Sequence, residues 1–426
     1  MSHHFYKKYR KARVSTPLVM IVIPLVLSAF THLWNPAGFP YFHGDEGHYM
    51  RRAVHTLDGL GPQEARNVNW TFEQPYDHPY FGQLFLASTL GVVDYPDSLS
   101  PRINDIYSIE ILHLAPRLLM GMLAVFDTFL IYKIAERRYS NRNIAFVAAI
   151  LFAVMPMSWL TRRILLDSLF LPFLLTSILF ALYSGIRAKQ REPKEVVMVK
   201  SREGSGGTSE KIERERERGR QGQGQGRIVE QGQDVGYNYY RSHKIMSHQN
   251  IILLLSSGIF LGLTIFTKVP AITLIPLVGF IVFTNNKKSF KALGLWIIPV
   301  ILIPLMWPAY AIFNGESEDW LNGLYWQAAE RSSQPLWDSL SDLLRVDPIL
   351  FVLGIAGIAF AGVIKRDTLI ILWFIPFVGF FYLINHSRDI HWIPIIPVFC
   401  IAGAVLIVNI INKISSERLR QTVLFA

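Results

Sequence analysis

Residues 41 to 50 read YFHGDEGHYM, two adjacent carboxylates, Asp45 and Glu46, bracketed by His43 and His48. Elsewhere the chain is 51% hydrophobic, so this density of titratable groups stands out. A carboxylate in such a set can draw the proton from an attacking hydroxyl or amine. Further polar groups follow in otherwise apolar surroundings: Asp77 and His78 in EQPYDHPYFGQL, Arg162, Arg163 and Asp167 in TRRILLDS, Lys268 in IFTKVPA, Arg388 and His391 in SRDIHWIP. Cations of this kind stabilise a departing phosphate. Acids and cations together suit a reaction between a phosphate-linked donor and a hydroxyl or amine acceptor. Plainer readings stand beside this one. Asp45 and Glu46 could serve only a helix N-terminus, where carboxylates offset the macrodipole. Asp77 could simply cap the helix that follows it. His43, Asp45, Glu46, His48 and His78 offer metal ligands without a diagnostic spacing, which leaves metal dependence open.

The elements that must position these groups are membrane helices. Only 17% of the 426 residues are charged, against about a quarter in an ordinary soluble domain. The apolar residues fall in blocks long enough to cross a hydrocarbon core of about 30 Å. The net charge of +10 sits at block ends, in KKYRKAR, ERRYSNRN, NNKKSFK, IKRD and NKISSERLR. That is the pattern of cytoplasmic loops; a nucleic-acid partner would need a basic face interleaved with aromatics, and none is present. The single cysteine, Cys400, lies within an apolar block and cannot form an intrachain disulfide.

The expected fold is an all-α polytopic membrane protein of about ten transmembrane helices, with helices on its outer surface. The spans fall at 16–34, 109–135, 143–160, 168–186, 249–266, 269–284, 292–313, 347–364, 367–385 and 390–411. The first follows a basic segment and lacks a small-residue cleavage site, so it reads as an anchor. Residues 80–93 are too short to cross, at 1.5 Å per residue, and read as a surface helix. Both termini then lie inside. The first outer loop, 35–108, carries the Asp–Glu pair, and the acidic loop 314–346 lies on the same side. Residues 187–247 differ in kind: KSREGSGGTSEKIERERERGRQGQGQGRIVEQGQDVG nearly lacks large apolar side chains. Such composition predicts a disordered cytoplasmic loop. It divides an N-terminal transmembrane part, 1–186, from a C-terminal one, 248–426.

With the motifs in this order, the sequence resembles the superfamily of protein O-mannosyltransferases and lipid A aminoarabinose transferases, membrane glycosyltransferases of the GT-C fold. The resemblance rests on HGDEGHYMRRA for the family's acidic pair, DHPYFGQL for its histidine–proline element and APRLLMGMLAVFDTFLIYKIAERR for its arginine-led helix. RRILLDS matches its second outer acid, GIFLGLTIFTKVPAITLIP its lysine-bearing helix junction, and SRDIHWIPIIPVFCIAGA its last outer segment. Tyr80 stands where the family has a second proline, and Gln83 where it has a lysine. The resemblance implies transfer of mannose or a similar hexose from a dolichyl- or polyprenyl-phosphate donor to a protein, lipid or glycan acceptor. It implies Asp45 as catalytic base, with Glu46 and Asp167 shaping the acceptor and donor sites. His78, Lys268, Arg388 and His391 are then the candidates for the donor phosphate. The protein would reside in the cell membrane with its active site facing outside. The competing class is a transporter or lipid flippase. Such proteins place ionisable groups at mid-membrane in broken helices, often in two repeats, whereas these groups gather at one face.

Because residues 187–247 cannot build a core, replacing most of them with a flexible linker should leave transfer in membranes largely intact. An internal-deletion variant that inserts and folds but no longer transfers would overturn this expectation.

Overall fold

The structure is a computed structural model and describes residues 16–62, 76–95, 106–185 and 246–414. The loop expected over 187–247 lies almost wholly outside these residues, as do the N-terminal basic segment and residues 415–426. The described residues form helices and no strand; the one bridge joins Gln334 to His386.

Five helices are long and apolar enough to cross a membrane: Leu112–Tyr139, Leu166–Tyr183, His248–Thr267, Phe290–Phe313 and Asp389–Lys413. Counting two bent pairs as one span each brings this to seven. In one pair Arg142–Val154 meets Pro156–Arg162 at 67°, and in the other Leu336–Val346 meets Pro348–Ile364 at 119°. The remaining expected spans are shorter apolar helices, Leu18–Leu33, Val269–Asn285 and Thr368–Leu383. All ten apolar segments are thus helical, though not all are long.

The helices that matter here are α1 (Thr16–Leu33), α2 (Gly44–Leu57), α3 (Phe81–Val92), α4 (Ile106–Tyr139), α5 (Arg142–Val154), α6 (Leu166–Tyr183), α7 (His248–Thr267), α8 (Ile275–Asn285) and α9 (Phe290–Leu302). After α10 (Met306–Phe313) come α11 (Ser317–Tyr325), α12 (Leu336–Val346), α13 (Pro348–Ile358), α14 (Thr368–Leu383) and α15 (Ile396–Lys413). Helix α6 is the axis. Its residues from Leu166 to Leu182 are buried almost without interruption, as expected for a helix apolar on every side. It packs on α4, α7 and α8. Ser177 and Ser257 bind it to α7 reciprocally, each hydroxyl donating to the other's carbonyl at 2.7 and 2.9 Å.

Helix α7 approaches α9 closely because Gly258 and Gly262 face it. A Cβ at Gly258 would lie 2.3 Å from the Trp296 carbonyl oxygen, and one at Gly262 2.7 Å from that of Pro299. Small residues four apart permit such contact between membrane helices, where dispersion and not water drives packing.

The element order places opposite chemistry at the two ends of the bundle. At one end, α4, α6 and α8 finish and α5, α7, α9 and α14 begin. There Arg138 and Tyr139 hold Asp367 at 2.6 and 2.7 Å, and Asn250, Asn286 and Ser184 bond to one another. Arg142, Lys287, Lys288, Lys291, Lys365 and Lys413 lie at that end too. The other end receives the loop after α1, the short helices α2 and α3, and the residues singled out above. Helix α3 has only 12 residues and packs on α2 and α7, which agrees with the surface-helix reading of residues 80–93. Asp77 does not cap it: Tyr80 occupies the N-cap without a side-chain bond.

Substituting Gly258 with alanine should force α7 off α9, since its new methyl meets backbone and not a yielding side chain. Overpacking of this sort costs about 1–3 kcal/mol. Gly294 on α9 has open space around it, so Gly294→Ala should melt at or above the parent temperature. Thermal unfolding of both variants in detergent tests the contrast, and equal melting would refute it.

Candidate active site

Glu46 and Asp45 are neighbours in sequence and opposites in environment. Gly44 opens α2 and His43 caps it, so both acids fall in the first turn. Glu46 is fully buried. Its carboxylate accepts from Arg117 Nε at 3.0 Å and Nη2 at 2.8 Å, from the His43 backbone N–H at 2.9 Å and from Ile164 N–H at 3.1 Å. Arg117, itself buried, also donates Nη1 to the carbonyls of Pro36 and Pro40 at 3.1 and 2.8 Å and lies over the Phe42 ring. Both Glu46 oxygens and all three guanidinium nitrogens of Arg117 are hydrogen-bonded, the condition under which a buried ion pair persists. The helix-cap reading therefore describes Glu46 well: it closes the capping box with His43. Both its oxygens are already occupied, which leaves it no lone pair directed at an acceptor.

Asp45 remains about a third exposed. Its Oδ2 lies 3.7 Å from His43 Nδ1 and 3.9 Å from Arg388 Nη1. Tyr49, one turn on, is buried, and its phenol is held well above the usual pKa by burial and then by Asp45 and Asp77.

The remaining acids pair as well. Arg52 donates to Asp77 at 2.7 Å, and His48 stands 3.8 Å from the same carboxylate. Burial alone would raise the Asp77 pKa, but Arg52, His78 and His48 outweigh it and hold the carboxyl below its ordinary range. Asp167 and Lys268, expected to act separately, form a buried ion pair with each other. Lys268 thus reaches the site already neutralised, which weakens it as a phosphate ligand.

The histidines enter uncharged. Burial, with Lys268, Arg331 and Arg52 beyond the pull of Asp77, lowers His78 to about 3. It can give a phosphate oxygen an N–H but no charge. His391 is buried and stacks on Phe381 at 4.9 Å. Its Nδ1 accepts from the Arg388 backbone N–H at 3.2 Å, so its proton resides on Nε2. Arg388 alone among the four expected phosphate ligands is both charged and partly exposed.

Two groups escape the sequence reading. Arg331, between α11 and α12, bonds to Gln327 at 2.8 Å and interacts electrostatically with Tyr49, Asp77, Asp45 and Arg388. His386 is buried, with Nδ1 2.8 Å from the Ser332 carbonyl, so Nδ1 donates. Its Nε2 is buried without a partner among the described residues, and the cations near it are Arg331, Arg388 and Lys268. Both residues sit in segments without apolar periodicity, where only the charge itself was a signal. Among the described residues no group of three or more His, Cys, Asp or Glu side chains is arranged to hold a metal ion, and no step below runs through one.

No family model matches the chain, and no curated protein matches it by sequence. Solved structures do match it. ArnT from Cupriavidus metallidurans in the apo state aligns with a TM-score of 0.55 at 13% identity, over 93% of this chain and 60% of that one. The archaeal oligosaccharyltransferase AglB from Archaeoglobus fulgidus, in complex with an inhibitory peptide and a dolichol-phosphate, aligns at 0.52 and 12% identity, over 95% of this chain and 53% of that one. The chain has the GT-C fold. At these identities the likeness is one of fold, and the chain spans 53–60% of the length of these two proteins.

Removing one member of the Glu46–Arg117 pair strands a buried charge, at a cost of about 3–5 kcal/mol. Arg117→Ala should therefore unfold at markedly lower temperature, and whatever activity it loses should follow the loss of folded protein. An Arg117→Ala protein as stable as the parent would remove the pair from its structural role.

Proposed function

We propose that this protein is an integral membrane glycosyltransferase that moves a sugar, mannose or a similar hexose, from a dolichyl- or polyprenyl-phosphate donor to a protein, lipid or glycan acceptor. The observation that carries the reading is the division between the two adjacent acids. Glu46 is consumed by Arg117, while Asp45 keeps Oδ1 without a partner among the described residues, beside a partly exposed arginine. The fold likeness supports the donor class, since the AglB structure of the same fold holds a dolichol-phosphate.

In this reading the acceptor hydroxyl approaches Asp45. Its oxygen bonds to the anomeric carbon as the bond from that carbon to the phosphate oxygen breaks. The proton passes to Asp45, and the electron pair leaves with the lipid phosphate. Arg388 and Arg331 supply positive charge where the phosphate gains it, and His78 and His391 supply neutral N–H groups. Asp167 holds Lys268 in place, and Glu46 fixes the turn on which Asp45 sits. The site lies at a bundle end, where a sugar can stay in water while its phosphate rests at headgroup depth and its lipid chain lies among helices. The basic residues of the far end favour the cytoplasmic side, which turns the site outward.

Asp45→Asn keeps the shape and one acceptor oxygen but removes the basicity. General-base catalysis contributes about 10²- to 10⁴-fold, so transfer should fall by that order while donor lipid still binds. At the second position of α2 the loss of charge costs the helix end only about 0.3–1 kcal/mol. A purely structural Asp45 would accordingly leave turnover near normal, and an assay with radiolabelled lipid-phosphate sugar, run beside a melting curve, separates the outcomes.

A further inference from the structure

His43 has no role in the scheme above beyond its place at the N-cap of α2, yet its ring lies between both working sides of the site. Arg388 Nη2 lies 2.7 Å from His43 Nε2, across 345 residues of chain. On the other edge, the Asp45 backbone N–H lies 3.3 Å from Nδ1, and Asp45 Oδ2 lies 3.7 Å from the same nitrogen. A guanidinium has only donors, so Nε2 must present a lone pair to it. A neutral imidazole has one such nitrogen, and an imidazolium has none. Two donors therefore compete for a single lone pair. The arginine bond is charge-assisted and shorter, and it prevails. The ring proton then resides on Nδ1, on the side of Asp45 Oδ2, and the weaker bond from the Asp45 N–H is given up. Arg388 Nη1 reaches that oxygen too, at 3.9 Å, and Oδ1 is left to meet an acceptor.

We propose that neutral, Nδ1-protonated His43 is a positioning residue that joins Arg388 to Asp45, so that one ring sets the phosphate-binding cation and the base in register. This rests on the reading of Asp45 as base. The charged groups facing His43 are Asp45 on its own helix, Arg388 and Asp389 from the turn before α15, and Arg163 from the segment before α6. Burial first, then Arg388 and Arg163 against the pull of Asp45 and Asp389, hold the imidazole below its ordinary pKa. The lone pair is accordingly available at neutral pH. It disappears as pH falls through that lowered value, and an imidazolium there repels Arg388. Transfer should decline over the same interval.

Two substitutions separate positioning from capping. His43→Asn places an acceptor near Nδ1, where it caps α2 well, but it cannot reach Arg388. His43→Gln places its acceptor near Nε2, within reach of Arg388, and caps poorly. With the full chain in detergent and a radiolabelled polyprenyl-phosphate sugar, His43→Asn should lose about ten- to a hundredfold in kcat/KM, the worth of a hydrogen bond to a charged group. His43→Gln should restore most of that loss and flatten the acid limb of the pH profile. The reverse ranking is that of a helix cap and overturns the proposal, as does an acid limb unchanged in His43→Gln. If Asp45→Asn abolishes transfer while both His43 variants behave as the parent, the base reading stands and this one falls. If Asp45→Asn is active, the base reading falls, and binding of the donor lipid, measured without turnover, decides the His43–Arg388 link. His43→Asn should weaken that binding in the parent and add nothing in an Arg388→Ala background; additive effects would refute the link.

Discussion

The arrangement of this site depends on one buried contact, the pairing of Glu46 with Arg117. Burying a carboxylate and a guanidinium is costly unless each is surrounded by partners. Here the partners are backbone groups from two separate segments: Pro36, Pro40 and His43 in the loop that leads into α2, and Ile164 before α6. The requirement to satisfy two charges thereby fixes two stretches of irregular chain against α4. Loops at a membrane boundary have no ladder of their own to hold them, and this pair replaces it. Asp45, one residue away, inherits a defined position without being enclosed.

A second constraint is charge neutrality in a confined space. Glu46 pairs with Arg117, Asp77 with Arg52, and Asp167 with Lys268. These pairs cancel most of the charge that the sequence brings to this end. Beyond these three pairs stand Asp45, Arg388 and Arg331, the looser Arg163–Asp389 pair, Arg162 on the Trp34 carbonyl, and the neutral His78. A negatively charged ligand entering such a place meets a modest cationic surplus and several N–H donors. In the proposed transfer this balance suits a phosphate that must bind and then leave, since a site with every cation unpaired would hold its product.

Much of this was legible in the sequence, and the part that was not has a physical reason. Apolar blocks of this length announce helices because in hydrocarbon only a helix satisfies its backbone groups within one segment, and every such block is helical. Basic clusters mark block ends, and among the described residues Arg142, Lys287, Lys288, Lys291, Lys365 and Lys413 lie at one end of the bundle. Acids and cations of the site were identifiable as polar groups in apolar surroundings. Their partnerships were not. Glu46 meets Arg117 across 71 residues, and Lys268 meets Asp167 across 101, and no local period records such distances. Adjacent acids looked equivalent because neighbours on a helix point about 100° apart, and only tertiary packing decides which of them is buried. Arg331 and His386 went unnoticed for a related reason, lying in connecting segments whose path depends on helices far away in sequence. Length misled as well. Several crossing segments are shorter than a straight span, and two are bent, which composition alone does not reveal.

The candidate site is assembled from both halves of the chain, and the way the halves meet sets its geometry. Asp45, His43 and Asp77 come from the N-terminal part, whereas Lys268, Arg331, His386, Arg388 and His391 come from the C-terminal part. Their registry is set inside the bundle, where α6 and α7 share the Ser177–Ser257 exchange and the Asp167–Lys268 pair closes their common end. Polar contacts of this kind are directional, unlike the apolar packing around them, so they fix the axial position of one helix against the other. A shift of α7 by a single turn, about 5.4 Å, would break all of them at once and carry Lys268 out of reach of Asp167. The acid on one half and the cations on the other therefore stay opposed through side chains within the membrane, whatever path the intervening chain takes.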